Sequence, residues 1–231
     1  VRALEKTVKP KVLVDHEDAW RDRYVAAAAT GDNEEKKRAE RWRHEQIREA
    51  LRLETARKCA YCESSLGSVS FAHVEHIVPK SLHPELAHEW VNLTLACEIC
   101  NVGKDKYWSA ENPVLNPYID DISASLTFLG DFVGAPLGDV RGSVTINLCG
   151  LNRLDLIRDR TNRLIAVKGM LDQWHSATGV QKDALAYAIR LDAASGEFTA
   201  SVYQLLRTFH FPVKEPVADP SSDMPNAVEF E

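Results

Sequence analysis

The sequence predicts an α+β chain in which helices at both ends flank a middle stretch of short elements gathered on a metal. Three observations predict it. Residues 34–58 and 151–209 carry apolar residues near helical spacing among strong helix formers. Four of the five cysteines fall in two Cys-x-x-Cys pairs, and between those pairs β-prone pieces alternate with prolines.

Composition bounds the answer further. A length of 231 residues allows one elaborated domain or two small ones. With 45% hydrophobic and 27% charged residues the chain is of ordinary globular type, neither collagen-like nor wholly disordered. No apolar run approaches the ~20 residues that a bilayer crossing needs, so no membrane contact is expected. Arg2, Lys6, Lys9 and Lys11 interrupt the opening segment, which therefore lacks the apolar stretch of a secretory signal. A cytoplasmic address is expected, and Val1 in place of Met reads as an alternative start codon or processing. The 28 basic residues against 34 acidic ones leave a net charge of −6. Such a molecule repels polyanions as a whole, so any nucleic-acid binding must be local, metal-bridged or supplied by a partner.

The elements follow in order. Residues 1–58 read as a helical arm: an extended piece at Val12–Val14, a helix from near Asp15 ending at Gly31, and one long helix over 34–58, which has no Gly or Pro. Nine basic against six acidic residues in that stretch suggest a phosphate-facing stripe or, as readily, a solvated face laced with i,i+4 pairs. In the core, residues 59–118, Val69–Phe71 and Val74–Val78 are β-prone, Trp90–Ala96 reads as a strand or buried turn, and a helix begins at the second cysteine pair. Residues 119–211 read as mixed but mainly helical, with strands at Leu126–Leu129 and Val144–Leu148. Helices are expected over Asn152–Trp174, Lys182–Leu191 and Phe198–Phe209. Residues 212–231, proline-rich and acidic, read as a poorly ordered tail.

Cys59-x-x-Cys62 and Cys97-x-x-Cys100 have 34 residues between them. Each pair can form a knuckle in which two sulfurs converge on one tetrahedral ion, and two knuckles complete a four-thiolate site for structural Zn²⁺. A closed site of that kind has no open position and is not catalytic. Cys149 lies outside the pattern and reads as a small buried hydrophobe.

Between the knuckles stand Glu75, His76, Lys80 and Asn92, with Asn101 and Lys104 just after the last cysteine. Neighbouring strand residues face opposite ways, so Glu75 and His76 should not serve one ligand set, and a carboxylate and an imidazole so placed can divide the work of phosphodiester hydrolysis. Taken singly, each residue has an ordinary reading as surface chemistry, a turn or a helix cap. The fixed order Cys-x-x-Cys, Glu-His-x-x-Pro-Lys-Ser, Trp-x-Asn-Leu, Cys-x-x-Cys-Asn-x-x-Lys resembles an HNH endonuclease of the zinc-knuckle type. The resemblance implies a ββα-metal, treble-clef-like core. It also implies His76 as general base, Glu75 and Asn101 as ligands of a catalytic Mg²⁺ or Mn²⁺, and Asn92 as the prop of the histidine loop, and it makes Lys80 and Lys104 phosphate contacts. His73 shares a strand face with Glu75 but is not expected to be a ligand.

Weaker matches at Arg2–Lys6, Leu115–Pro117 and Leu151–Arg153 are similar to the HNH component of Septu and retron anti-phage systems. That likeness implies a nuclease effector working with an ATPase partner on DNA in some systems and tRNA in others. A zinc-knuckle adaptor that binds nucleic acid or an ATPase without cutting is the alternative of a different class.

Overall fold

A computed structural model of the chain describes residues 1–67 and 72–213. The Val69–Phe71 expectation and nearly all of the tail therefore lie outside the described residues.

Helix α1 spans Lys11–Thr30. Pro10 sits ahead of it, pre-set for a helix start, so Val12–Val14 are helical rather than extended. The long helix expected over 34–58 is two helices, α2 (Asn33–Ala39) and α3 (Glu45–Glu54). Tertiary packing overrides propensity at the break: the Trp42 side chain is 2% exposed, packed edge-on against Tyr24 and against the imidazole of His76. Each of the two helices is capped at its start, α2 by Asp32 accepting from the Glu34 and Glu35 amides and α3 by His44 accepting from the Gln46 amide. Truncating Trp42 to Ala should cost about 3–5 kcal/mol by cavity formation, read as a lowered urea midpoint.

Strands β1 (His73–His76) and β2 (Leu93–Ala96) form an antiparallel hairpin, with Glu75 opposite Thr94 and His76 opposite Leu93. Trp90–Asn92 is a 3₁₀ turn leading into β2, which combines the strand and buried-turn readings of that stretch. Helix α4 (Glu98–Lys104) begins within the second cysteine pair, with Cys97 as its N-cap and Cys100 in its first turn, and completes a ββα unit. Next come α5 (Ile122–Ser125), a second hairpin of β3 (Thr127–Leu129) and β4 (Phe132–Gly134), and α6 (Val140–Leu148).

The strand expected at Val144–Leu148 is thus helix. Asp139 caps it by accepting from the Gly142 amide, and Thr145, though β-branched, bonds back to the Arg141 carbonyl while accepting from the Leu115 amide. Gly103 lets α4 approach α6: a Cβ there would lie 2.1 Å from the Leu148 carbonyl oxygen. Helices α7 (Leu154–Ser176), α8 (Gly179–Ser195) and α9 (Thr199–Thr208) end the described chain.

Two apolar clusters hold these elements. One joins the N-terminal helices to the knuckles and the first hairpin through Leu13, Ile47, Leu51, Leu93 and Leu95, all 1% exposed or less. The other lies among α7, α8 and α9, around Val167, Leu171, Ile189 and Leu206. Among the described residues no helix is long and apolar enough to cross a membrane.

His88 is fully buried beside Trp42, and its Nε2 accepts from the Arg41 amide. Burial lowers its pKa from 6.5 to about 4. The unfolded chain therefore takes up this proton first, and stability falls as pH drops from about 6.5 toward 4, by about 3 kcal/mol at full protonation. Above that window the ring is neutral in both states and contributes no slope. Urea unfolding across the window should show this loss, and a His88→Phe chain should lose less. Equal slopes in the two chains would contradict the assignment.

Candidate active site

The two knuckles close on each other. The sulfurs of Cys59, Cys62, Cys97 and Cys100 all lie within 4.8 Å of one another, and all four residues are buried. A tetrahedral ion with metal–sulfur bonds of about 2.3 Å requires sulfurs roughly 3.8 Å apart, and Cys62 Sγ lies 3.8 Å from Cys97 Sγ. The cluster fits a structural ion. The Arg153 guanidinium lies 3.8 Å from Cys62 Sγ and 3.9 Å from Cys100 Sγ, and also donates to the Cys149 and Gly150 carbonyls. Thiolates gathered on a divalent ion carry excess negative charge, and a fixed guanidinium beside them offsets it. Cys149 is fully buried and apart from the cluster.

The hairpin and α4 present the other residues to a cleft of about 800 Å³ lined by Glu75, His76, Lys80 and Asn101. His76 is 3% exposed. Its Nε2 lies 2.9 Å from the Ala87 carbonyl oxygen; a carbonyl can only accept, so Nε2 carries the hydrogen and Nδ1 keeps its lone pair. Burial, and then the charge of Lys80, hold the imidazole well below its usual pKa, so it is neutral at physiological pH. The Trp42 ring stands nearly perpendicular to it, at 4.9 Å between centroids.

Asn92 is buried in the loop between the strands. It accepts from the Val78 amide and donates to the Val78 and Leu86 carbonyls, so it ties the residues after β1 to those before β2. It touches backbone on three sides, so its place is under the loop that carries Ala87.

Glu75 is 5% exposed. The Lys104 ammonium lies 2.7 Å from its Oε1 and forms a buried ion pair with it. Burial pushes the carboxyl up against the pull of Lys104. Asn101 is half-buried, its Nδ2 3.5 Å from His73 Nδ1, which leaves its amide oxygen for another partner. A carboxylate and an amide oxygen on a shared cleft are the oxygen donors that suit a hard divalent cation.

The two lysines part company. Lys80 is half-buried in the cleft, its amine 5.2 Å from the Trp42 ring centre. Lys104, expected at a phosphate, is instead 2% exposed and donates to the His76 carbonyl as well as pairing with Glu75. It fastens α4 to β1.

Residues 59–106, which hold both knuckles, the hairpin and α4, match the family model described as HNH endonuclease. The chain carries an HNH domain. The chain is also similar to two proteins named Septu protein PtuB. One, from Bacillus thuringiensis, is 33% identical over 115 residues, covering 49% of this chain and 44% of that protein. The other, from Bacillus mycoides (strain KBAB4), is 28% identical over 152 residues, covering 52% of each. The chain spans about half the length of these curated relatives and is homologous to them over that part.

Three features of the HNH site escaped the sequence: the Ala87 carbonyl that fixes the tautomer, the Trp42 ring against His76, and Arg153 at the thiolates. A backbone acceptor leaves no mark in a residue pattern. Trp42 was legible only as a helix residue, and Arg153 only through the weaker match at Leu151–Arg153.

Proposed function

We propose that the chain is a metal-dependent endonuclease that hydrolyses phosphodiester bonds, with DNA as substrate, and that it acts as the effector of an anti-phage complex with an ATPase partner. The observation that carries the nuclease reading is the His76 ring: held by Ala87 in the tautomer whose free nitrogen is Nδ1, kept neutral by burial, and facing the same cleft as Glu75 and Asn101. A neutral, fixed imidazole is what a general base for water requires. His76 takes the proton of the attacking water at Nδ1. Glu75 and Asn101 would hold Mg²⁺ or Mn²⁺, which when bound neutralises charge developing on the phosphate and the leaving oxygen. Asn92 keeps the loop and hence the Ala87 carbonyl in place, and Lys80 contributes a cation to a phosphate oxygen. Cys59, Cys62, Cys97 and Cys100 would hold Zn²⁺ as scaffold.

The names of the two relatives support the defence setting and, through the resemblance of the motif set, the ATPase partner. The test is the zinc-loaded chain, alone and co-expressed with an ATPase encoded beside its gene, on labelled duplex DNA, single-stranded DNA and tRNA. DNA cutting that requires Mg²⁺ or Mn²⁺ is expected. Cutting of tRNA alone would replace the DNA reading, and an inert chain in every arm would leave a zinc-knuckle adaptor.

A further inference from the structure

The net charge of −6 leaves open how an acidic chain holds a polyanion, and the break between α2 and α3 bears on it. It turns α2 across the mouth of the cleft, so that Lys36 and Lys37 line the same cavity as Glu75, His76 and Asn101, with Lys80 and Lys106 on its other sides. The acids that line the cleft, Glu40, Glu75 and Asp105, are outnumbered by its four lysines. Glu75 is paired with Lys104, and Glu40 lies 3.4 Å from Arg43. Asp105 remains against four lysines. Lys37 shares an exposed pair with Glu34, worth little in water. Among the described residues, Lys36, Lys80 and Lys106 have no ion-pair partner.

We propose that Lys36 and Lys37 of α2, with Lys80 and Lys106, form the wall that holds the backbone phosphates flanking the scissile one. The inference rests on the nuclease reading and deepens it: the N-terminal arm supplies the substrate-binding side of a cleft whose chemical side is the HNH unit. The short helix is placed for this by its own cap at Asp32 and by Ala39, buried beneath it. A local cluster of this kind lets a chain that repels polyanions elsewhere bind one at a single mouth.

Salt dependence tests the wall. Phosphate contacts release counterions, so log K falls with log salt by about 0.9 per contact on duplex DNA and about 0.7 on a single strand. With His76→Ala in every chain to stop cutting, binding of a fluorescent DNA duplex and of its single strand is measured across a salt series. The Lys36→Gln/Lys37→Gln chain should bind more weakly, with a slope shallower by about two contacts on whichever probe is the ligand. Lys168→Gln/Lys182→Gln makes the same change in net charge on α7 and α8, away from the cleft, and should leave the slope alone. Zinc content and the melting curve confirm that each chain is folded. Equal slopes in all chains, or equal losses in both double variants, would overturn the wall. Absence of salt-dependent binding to either probe would overturn it too. Mg²⁺-dependent cutting by the chain with His76 intact is a separate readout, so the nuclease reading can survive the loss of the wall and be seen to do so.

Discussion

Cleavage by a His76→Ala chain should fall by about 10²–10⁴-fold, the usual contribution of a positioned general base, while its zinc content stays that of the parent. The residue can be removed without unmaking the scaffold, because it is not among the four clustered sulfurs and its ring contacts are with Trp42 and the Ala87 carbonyl. Some stability will go with it, since a buried ring is lost and the Ala87 oxygen loses a donor. For that reason zinc content and the melting curve are read alongside the rate. The pH dependence adds a check on the tautomer and burial. Burial, and after it Lys80, set the imidazole well below its ordinary value, so the base stays unprotonated and the rate holds as pH falls through about 6.5. It drops only at more acid pH. A His76→Ala rate within a few-fold of the parent would remove the imidazole from the mechanism.

Stripping the thiolate-bound metal, or replacing Cys97 with Ser, should unfold residues 59–106 outright. Zinc bound by such a site contributes on the order of 10–16 kcal/mol, as much as or more than the 5–15 kcal/mol that separates a typical folded domain from its unfolded chain. Among the described residues the elements between the knuckles are short, two strands of four residues and brief 3₁₀ turns, and could not replace that contribution. Cys149→Ser is the control. That side chain is fully buried but outside the cluster, so the hydroxyl should cost about 1–3 kcal/mol and leave bound zinc unchanged. Metal content by a colorimetric chelator and circular dichroism on the same samples decide the matter. A folded, cooperative Cys97→Ser chain would show that the sulfurs are only packed together.

The contrast between legible and illegible parts follows from range. Cys59, Cys62, Cys97 and Cys100 could be read because a metal imposes residue type and local spacing at once. The helix at the second pair was equally plain. What the sequence misplaced depends on contacts from far along the chain. Strong helix formers run from Glu34 to Lys58, yet Trp42 leaves that path to meet Tyr24 and His76. Val144, Thr145 and Ile146 are β-formers by type, but the Thr145 hydroxyl finds one partner within its helix and another at Leu115. The resemblance makes Lys104 a phosphate contact, a role that suits a solvated lysine. Only the fold reveals that the Glu75 carboxylate and the His76 carbonyl wait for it inside.

The close seat of Gly103 on the Leu148 carbonyl has a bearing on synthesis. A nascent chain that has just released its second knuckle holds every motif residue but not yet the surface on which α4 rests. The helix bearing Asn101, already tied to β1 through Lys104, gains its second backing only when α6 emerges from the ribosome, so translation itself delays the assembly of the cleft until that helix has been made.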